Sequence, residues 1–379
     1  MWLQIYSIVL TLAWVIVTVY ILVNSRRVRH LKDMDPASGP LPSLAVIIPV
    51  RNEEAEVEAA LASVLRLDYP GLQVVVINDR STDSTPAILQ RMAAAHPTLT
   101  LLTITELPEG WLGKNHALYR GYCATATEWM LFTDADVLFR PQALRKAMHY
   151  VQQQSLDHLV VMPEVTSPSA LFKAVMNTFA LMLDVRQRPW AVSNLRSSAS
   201  IGIGAFNLVR RTAYEGGGTH KAYSLRPDDD LKLGEHIKKA GFRPGILYGN
   251  GQVSLQWYTS LGQFVRGLMK NTFSVANYNP LLAFGFVLAT LVVFVLPIPL
   301  SLLWGTKGVL MAGIILLSHV TLMSFKPGVK GKWWHGLLLP FAGAVMAYII
   351  TASTIRTLRQ GGIYWRDHFY PLEELRKQR

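Results

Sequence analysis

The chain has 379 residues, of which 50% are apolar and only 16% charged, and its mean hydropathy of +0.24 exceeds that of an evenly solvated enzyme. The net charge of +12 invites a nucleic-acid reading, but the basic residues gather beside apolar segments, where anionic lipid headgroups attract them. A single cysteine, Cys123, excludes an intramolecular disulfide and a cysteine-based metal cluster, as suits a reduced compartment.

The first apolar stretch, Leu3–Val23, is long enough for the roughly 20 residues that cross a bilayer core. No basic residue precedes it, so a retained anchor over 1–24 is favoured over a cleaved signal peptide. Arg26, Arg27, Arg29 and Lys32 follow at once within a basic linker, 25–43, whose positive charge puts the next domain in the cytoplasm.

From Leu44 to about Asn250, continuous apolar runs alternate with amphipathic helical patterns. LAVIIPV precedes EEAEVEAALASVLRL, LQVVVIND precedes PAILQRMAAAH, LTLLTI follows, and EWMLFTDAD precedes PQALRKAMHYV. This alternation predicts an α/β domain over 44–250 with a mostly parallel sheet covered on both faces. Ligands of such sheets bind beyond the carboxyl ends of the strands. The polar clusters Arg51–Glu53, Asn78–Arg80 and Thr133–Asp136 fall there.

Asp134 and Asp136, at spacing two, leave their strand on one side and suit a hard divalent cation, Mg²⁺ or Mn²⁺, shared with substrate phosphates. A solvated turn is the equally weighted alternative. In NDRSTD, Ser84 or Asp83 caps the helix at Pro86, but capping leaves Asp79 and Arg80 unexplained; an aspartate there can accept a base N–H and an arginine can meet phosphate. Lys114, just after a glycine at a helix start, is placed for a phosphate or is an ordinary surface lysine. Asp228, Asp229 and Asp230 open an amphipathic helix whose dipole explains any two of them; a proton acceptor needs one. His220 after three glycines reads by default as a loop histidine, and Gly202 and Gly204 as close strand packing.

Beyond the domain come a segment over 251–280 that reads as interfacial, apolar stretches Leu281–Trp304, Gly308–Phe325 and Leu337–Ile355 within 281–356, and a basic tail over 357–379. Pro297 and Pro299 mark the first of these as a broken, re-entrant segment, tolerated where protein shields the freed backbone groups. Three full crossings from a cytoplasmic domain would otherwise leave the basic tail outside. The loop with Lys326, Lys330, Lys332, Trp333 and Trp334 reads as cytoplasmic and interfacial. Ala170–Val185 reads as a core helix of the domain, with an interfacial helix as the alternative.

Taken in order, PVRNEE, NDRSTD, TDAD, DDDLKLGEHIKKAGFRP and the Gln263–Gly267 run resemble the motifs of family 2 glycosyltransferases, in the membrane-anchored branch acting on ceramide-type, hopanoid-associated and carotenoid acceptors. The resemblance implies a GT-A-type nucleotide-sugar-binding domain with transmembrane helices at both ends. It implies an inverting transferase of the hexosyltransferase type, moving a sugar from a nucleoside-diphosphate sugar, expected to be a UDP-sugar, to a hydroxyl or carboxyl of a lipid at the cytoplasmic face of the plasma (inner) membrane. Nucleic acid is not among the partners it implies. It implies donor contacts from Pro49, Glu53, Asp79, Arg80, Lys114, Asp134 and Arg266, metal ligation by Asp136 with Asp134, and Asp230 as the base. Asp229, Gly204, His220 and Gln263 fall on the acceptor side. Asn78 replaces the first aspartate of its motif, and Gly267 replaces a tryptophan, so aromatic stacking on the acceptor from that position is lost. A processive polysaccharide synthase would want more spanning helices and that tryptophan; a nucleotidyltransferase would carry a glycine-rich loop where PVRNEE stands; a non-catalytic nucleotide-binding membrane protein leaves Asp230 without purpose.

Overall fold

The structure, a computed structural model, describes residues 1–167, 169–269, 272–328, 330–365 and 368–377. Arg366 and Arg379 of the basic tail lie outside the described residues. The chain divides into two units, Met1–Arg27, Ser167–Arg188 and Tyr258–Arg379 in one, and Val28–Thr166 with Pro189–Trp257 in the other.

The second unit is built on an eight-stranded mixed sheet. Its strands are β1 (Arg29–His30), β2 (Leu44–Val50), β3 (Gln73–Asp79), β4 (Leu99–Ile104), β5 (Trp129–Phe132), β7 (His158–Met162), β9 (Asn207–Arg210) and β10 (Pro244–Tyr248). The strands β6 (Val137–Phe139), β8 (Glu164–Val165) and β11 (Val253–Leu255) form a small second sheet. The order in the large sheet is β1-β10-β7-β9-β5-β2-β3-β4, parallel throughout except that β9 runs against both its neighbours. The β-branched run of β2 is buried almost from end to end, as a central strand covered on both faces requires. Leu61, Val64 and Met148 pack on one face of the sheet, and Ala117, Leu118, Leu233 and Ile237 on the other.

Four expected strands and their following helices stand where the alternation put them. LTLLTI is a strand over its full length, and the helices are Val57–Leu65, Thr85–Ala95 and Ala143–Gln154. Asp83 rather than Ser84 accepts the first helical N–H, from Thr85 at 3.0 Å. Two glycines set how closely the segment Ile201–Gly204 approaches the helix Asp229–Lys239. A methyl on Gly202 would strike the carbonyl of Asp230, and one on Gly234 would strike the carbonyl of Ile201.

The first unit holds three helices long and apolar enough to cross a membrane, Trp2–Ser25, Gly305–Phe325 and Trp333–Gln360. The segment between them is broken: helix Pro280–Thr290 passes into a π turn, Leu291–Val295, and then a short helix, Pro297–Leu302. Pro297 has no N–H to give to Val293, and the π turn diverts Leu296 N–H to Leu291. Both freed carbonyls are capped from the first helix: Trp14 Nε1 donates to Val293 at 3.0 Å, and the Tyr6 hydroxyl to Val292 at 2.7 Å. The shielding that the prolines demand in an apolar medium is thus supplied inside this unit.

Helix Ala170–Gln187 belongs to this unit, not to the α/β domain. Its Asp184 forms a buried ion pair with Lys326, and its Asn177 side chain meets His335 Nδ1 at 2.9 Å. Lys326 is therefore turned inward, while Lys330, Lys332 and Trp333 of the same loop are exposed.

The glycine contacts make a signed prediction. Glycine to alanine inside a helix ordinarily stabilises by up to about 1 kcal/mol, whereas Gly234→Ala should lower the melting temperature of the purified protein by roughly 2–4 °C for each kcal/mol lost, because backbone must shift. A rise in melting temperature would remove the close approach from the account.

Candidate functional site

Within the α/β unit the site starts at the carboxyl ends of β2 and β3. Their loops are laced together by side chains meeting backbone N–H groups. Asn52 N–H donates to Ser81 Oγ, Thr82 N–H to Asn52 Oδ1, Glu53 N–H to Thr85 Oγ1, Glu54 N–H to Asp83 Oδ2 and Ser84 N–H to Glu54 Oε2, at 2.8–3.3 Å. The two polar motifs therefore rigidify each other. Asn78 accepts from Ser81 N–H at 3.3 Å, a local turn bond. Asp79 is buried and is held by Arg80, whose Nε and NH2 lie 2.7 and 3.0 Å from its two oxygens.

The helix Gly113–Cys123 begins against this aspartate. A methyl on Gly113 would meet Asp79 Oδ2 and Arg80 NH2. The next residue, Lys114, reaches the other way, with Nζ 2.7 Å from Asp134 Oδ1 and 4.0 Å from Asp229 Oδ1. Two consecutive residues at one helix N-terminus, where backbone N–H groups and the dipole favour anions, thus join the Asp79 cluster to the acidic cluster.

That acidic cluster draws on two further elements. Asp134 follows β5, and its N–H donates to the Gly204 carbonyl at 3.1 Å, while Gly204 N–H donates to Asp230 Oδ2 at 2.9 Å. One peptide segment therefore spaces the two carboxylates, and a methyl on Gly204 would meet Asp134 Oδ2 and Lys114 Nζ. The three consecutive aspartates have separate fates. Asp228 is chelated by buried Arg226, both bonds being 2.8 Å. Asp229 is buried against Lys114 and His220, whose Nε2 lies 3.9 Å from its Oδ2. Asp230 accepts from Gly204 N–H and from Leu231 N–H at 2.8 Å.

His220 sits behind Asp229, 1% exposed. The Tyr214 hydroxyl accepts from His220 N–H and lies 2.6 Å from His220 Nδ1, while Nε2 faces Asp229. Burial and the nearby Lys114 ammonium lower the histidine to about 3, and it stays neutral.

Burial, then the charges of Asp134 and Glu53, raise Asp136 to about 7. Burial raises Asp229 to about 7 against the pull of Lys114, and burial also raises Asp230. Lys114 is held protonated by Asp134, Asp229 and Asp230, which outweigh the burial that opposes its charge. Carboxylates that repel one another this strongly suit a hard dication. Among the described residues no group of three or more histidine, cysteine or acidic side chains can enclose an ion alone, so oxygens of a ligand must complete any coordination around Asp136.

Two residues that the sequence patterns do not single out hold this arrangement. Asn115 is buried, and its Nδ2 donates to the carbonyls of Tyr223, Ser224 and Arg226 at 3.1, 3.0 and 2.9 Å. Arg226 then fixes Asp228. Lys114 and the three aspartates are tied through this clamp, across more than a hundred residues of chain.

Arg266 and Gln263 lie on helix Leu261–Leu268 of the other unit. Gln263 Oε1 accepts from Thr259 N–H and Oγ1–H at 3.1 and 2.6 Å. Gly267 lies under the Tyr258 ring, which occupies the space into which a side chain at 267 would extend. Tyr258 also stands edge-on to Phe264, with ring centres 5.8 Å apart.

Comparison with known proteins fits this arrangement. Residues 42–250 match the family described as "Glycosyltransferase like family 2". A 4,4'-diaponeurosporenoate glycosyltransferase of Staphylococcus aureus (strain USA300) is 24% identical over 340 residues, covering 88% of this chain and 89% of that protein. The same protein in strain MRSA252 matches to the same extent. Among solved structures, the mannosyltransferase PcManGT from Pyrobaculum calidifontis, in complex with GDP-Man and Mn²⁺, has a TM-score of 0.57 at 19% identity, covering 94% of this chain and 99% of that one. At that identity the likeness concerns the fold alone, a GT-A-like α/β domain.

Two outcomes follow from the site. Asn115→Ala removes the side-chain donor that three carbonyls share and should cost about 1–3 kcal/mol, read as a lowered thermal midpoint. An unchanged midpoint would remove the clamp. Asp136 must shed its proton to bind a cation, and its raised pKa delays that until the pH passes about 7. Mn²⁺ affinity should therefore rise about tenfold between roughly pH 6 and pH 8, measured by paramagnetic resonance of the free ion; a flat profile would show Asp136 ionised throughout.

Proposed function

The chain belongs to glycosyltransferase family 2, and from that membership we propose that it is an inverting enzyme transferring a sugar from a nucleoside-diphosphate sugar, with UDP-sugar the expected donor, to a hydroxyl or carboxyl of a lipid. The observation that carries the reading is the helix start at Gly113–Lys114, which touches Asp79 on one side and Asp134 and Asp229 on the other. A nucleoside-diphosphate sugar has that polarity: a base at one end, charge in the middle and the transferred sugar beyond.

In this reading Asp79 and Arg80 take the base, with Pro49 and Glu53 shaping the same end. The helix N-terminus and Lys114 take the diphosphate. Asp136, with Asp134, holds a divalent cation, Mg²⁺ or Mn²⁺, which when bound neutralises charge on the leaving diphosphate. Asp230 accepts the proton of the acceptor hydroxyl as its oxygen attacks the anomeric carbon. The bond from that carbon to the diphosphate breaks on the opposite face, with inversion. Gly204 N–H steadies one Asp230 oxygen without neutralising the carboxylate. His220, kept neutral, and Asp229 act from the acceptor side by holding Lys114 and the helix start in place, and Gln263 shapes the segment carrying Arg266.

A lipid acceptor is supported by the three helices capable of crossing a membrane and by the relative named for glycosylating diaponeurosporenoate. The basic run Arg26–Lys32 after the first helix supports an integral protein of the inner (plasma) membrane with a cytoplasmic catalytic domain.

The test is a donor panel offered to the purified protein in native lipid extract, with mass spectrometry of the lipids formed. A hexose-sized mass gain on a lipid is expected with one nucleotide sugar; no gain with any donor and either cation overturns the reading. Asp230→Asn should lower transfer by about 10²–10⁴-fold while nucleotide affinity stays within about twofold, and a variant retaining most of its turnover removes Asp230 as the base.

A further inference from the structure

Inside the first unit, the helix Ala170–Gln187 meets the loop before Leu339 along a row of polar side chains. Asp184 pairs with Lys326, and both are buried. Two turns earlier on the same helix face, Asn177 Nδ2 meets His335 Nδ1 at 2.9 Å. The Lys332 N–H donates to that same ring nitrogen at 3.4 Å, and the Trp334 ring stands edge-on to the imidazole with centres 4.3 Å apart. Lys173 lies one further turn back from Asn177. His335 feels the charge of both the Lys173 and the Lys332 ammonium. Two lysines that repel each other are thus gathered around one histidine.

Among the described residues neither lysine has an ion-pair partner. The acidic residues in the sequence of this unit are Asp184, Asp367, Glu373 and Glu374. Asp184 is already taken by Lys326. The other three come only after the helix Leu339–Gln360, which is about 30 Å long. The setting is apolar as well as basic. The loop joins two helices long and apolar enough to cross a membrane, and Phe325, Trp333 and Leu337 around it are 69%, 60% and 45% exposed.

We propose that Lys173 and Lys332, positioned through His335, bind the headgroup phosphate of an anionic phospholipid whose chains lie against the exposed apolar side chains flanking the loop. The inference goes beyond the transferase reading and does not depend on it. A phosphodiester offers oxygens to two ammonium groups at once and supplies the negative charge that this face lacks. A zwitterionic lipid brings its own cation and would set it against the two lysines. Free phosphate has no apolar part to cover Trp333 and Phe325, whereas a lipid satisfies the basic and the apolar surface together.

The experiment is native mass spectrometry of the purified full-length protein in neutral detergent with equimolar phosphatidylglycerol and phosphatidylcholine. The first lipid retained should be phosphatidylglycerol by about tenfold or more, from the attraction of two lysines. Lys173→Gln with Lys332→Gln should bring that preference close to unity, at an unchanged melting temperature in phosphatidylcholine. Lys173→Arg with Lys332→Arg should keep it, and so should Lys307→Gln, which removes a charge at the other end of the helix Gly305–Phe325. An undiminished preference in the double glutamine variant overturns the inference, as does the same loss in Lys307→Gln or in the double arginine variant. Displacement of the lipid by an equal concentration of inorganic phosphate would assign the lysines to free phosphate and overturn it too.

Discussion

Like charges brought together in a dry place must be compensated, and in this protein the compensation is the Lys114 ammonium. Around these carboxylates, it is the cation that the described contacts place among Asp134, Asp229 and Asp230, and its charge also reaches Asp136. Burial, and then the neighbouring carboxylates, raise the pKa values of Asp136, Asp229 and Asp230, so the site is built in a state that gains from receiving a cation or surrendering a carboxylate to a proton. Structural ion pairs elsewhere in the molecule show the contrast. Asp228 is matched one to one by Arg226, and Asp79 by Arg80 and Arg51.

The geometry that maintains this imbalance is mostly backbone. Gly204 lies between Asp134 and Asp230 and bonds to each through its own peptide groups. Gly202 and Gly234 let the same segment press on the aspartate-bearing helix. A side chain at any of these positions would widen the spacing between carboxylates and so weaken the field they share. The glycines act here as spacers of charge.

Much of the fold was legible because the strands of the central sheet are buried on both faces and their sequences are continuous apolar runs. β2 and β4 could be bounded almost to the residue, and the polar clusters at their ends followed from the alternation. What periodicity cannot carry is partnership at a distance. Asn115 looks like any polar residue after a lysine until the loop Tyr223–Arg226 arrives to accept its amide. The reversal of β9 leaves no mark in NLVR, since a central strand reads the same in either direction. His220 reads as a loop histidine because the Tyr214 hydroxyl that pairs with its ring comes from a helix that ends in glycines. The missing tryptophan at 267 was visible, but not that the Tyr258 ring lies over the glycine. The apolar stretches were equally visible, whereas the assignment of Ala170–Gln187 to their unit rests on buried Asp184 and half-buried Asn177, which its composition does not distinguish from surface residues.

The caps on Val292 and Val293 give the first helix a duty other than attachment. Any sufficiently long apolar helix would hold a protein in a bilayer, but only one with an indole and a phenol at the heights of Trp14 and Tyr6 closes the two carbonyls opened by the break before Pro297. The N-terminal segment is thus part of the interior of its own unit, joined to a stretch of chain nearly three hundred residues later. Exchanging it for a generic tether would keep the address and lose the keystone.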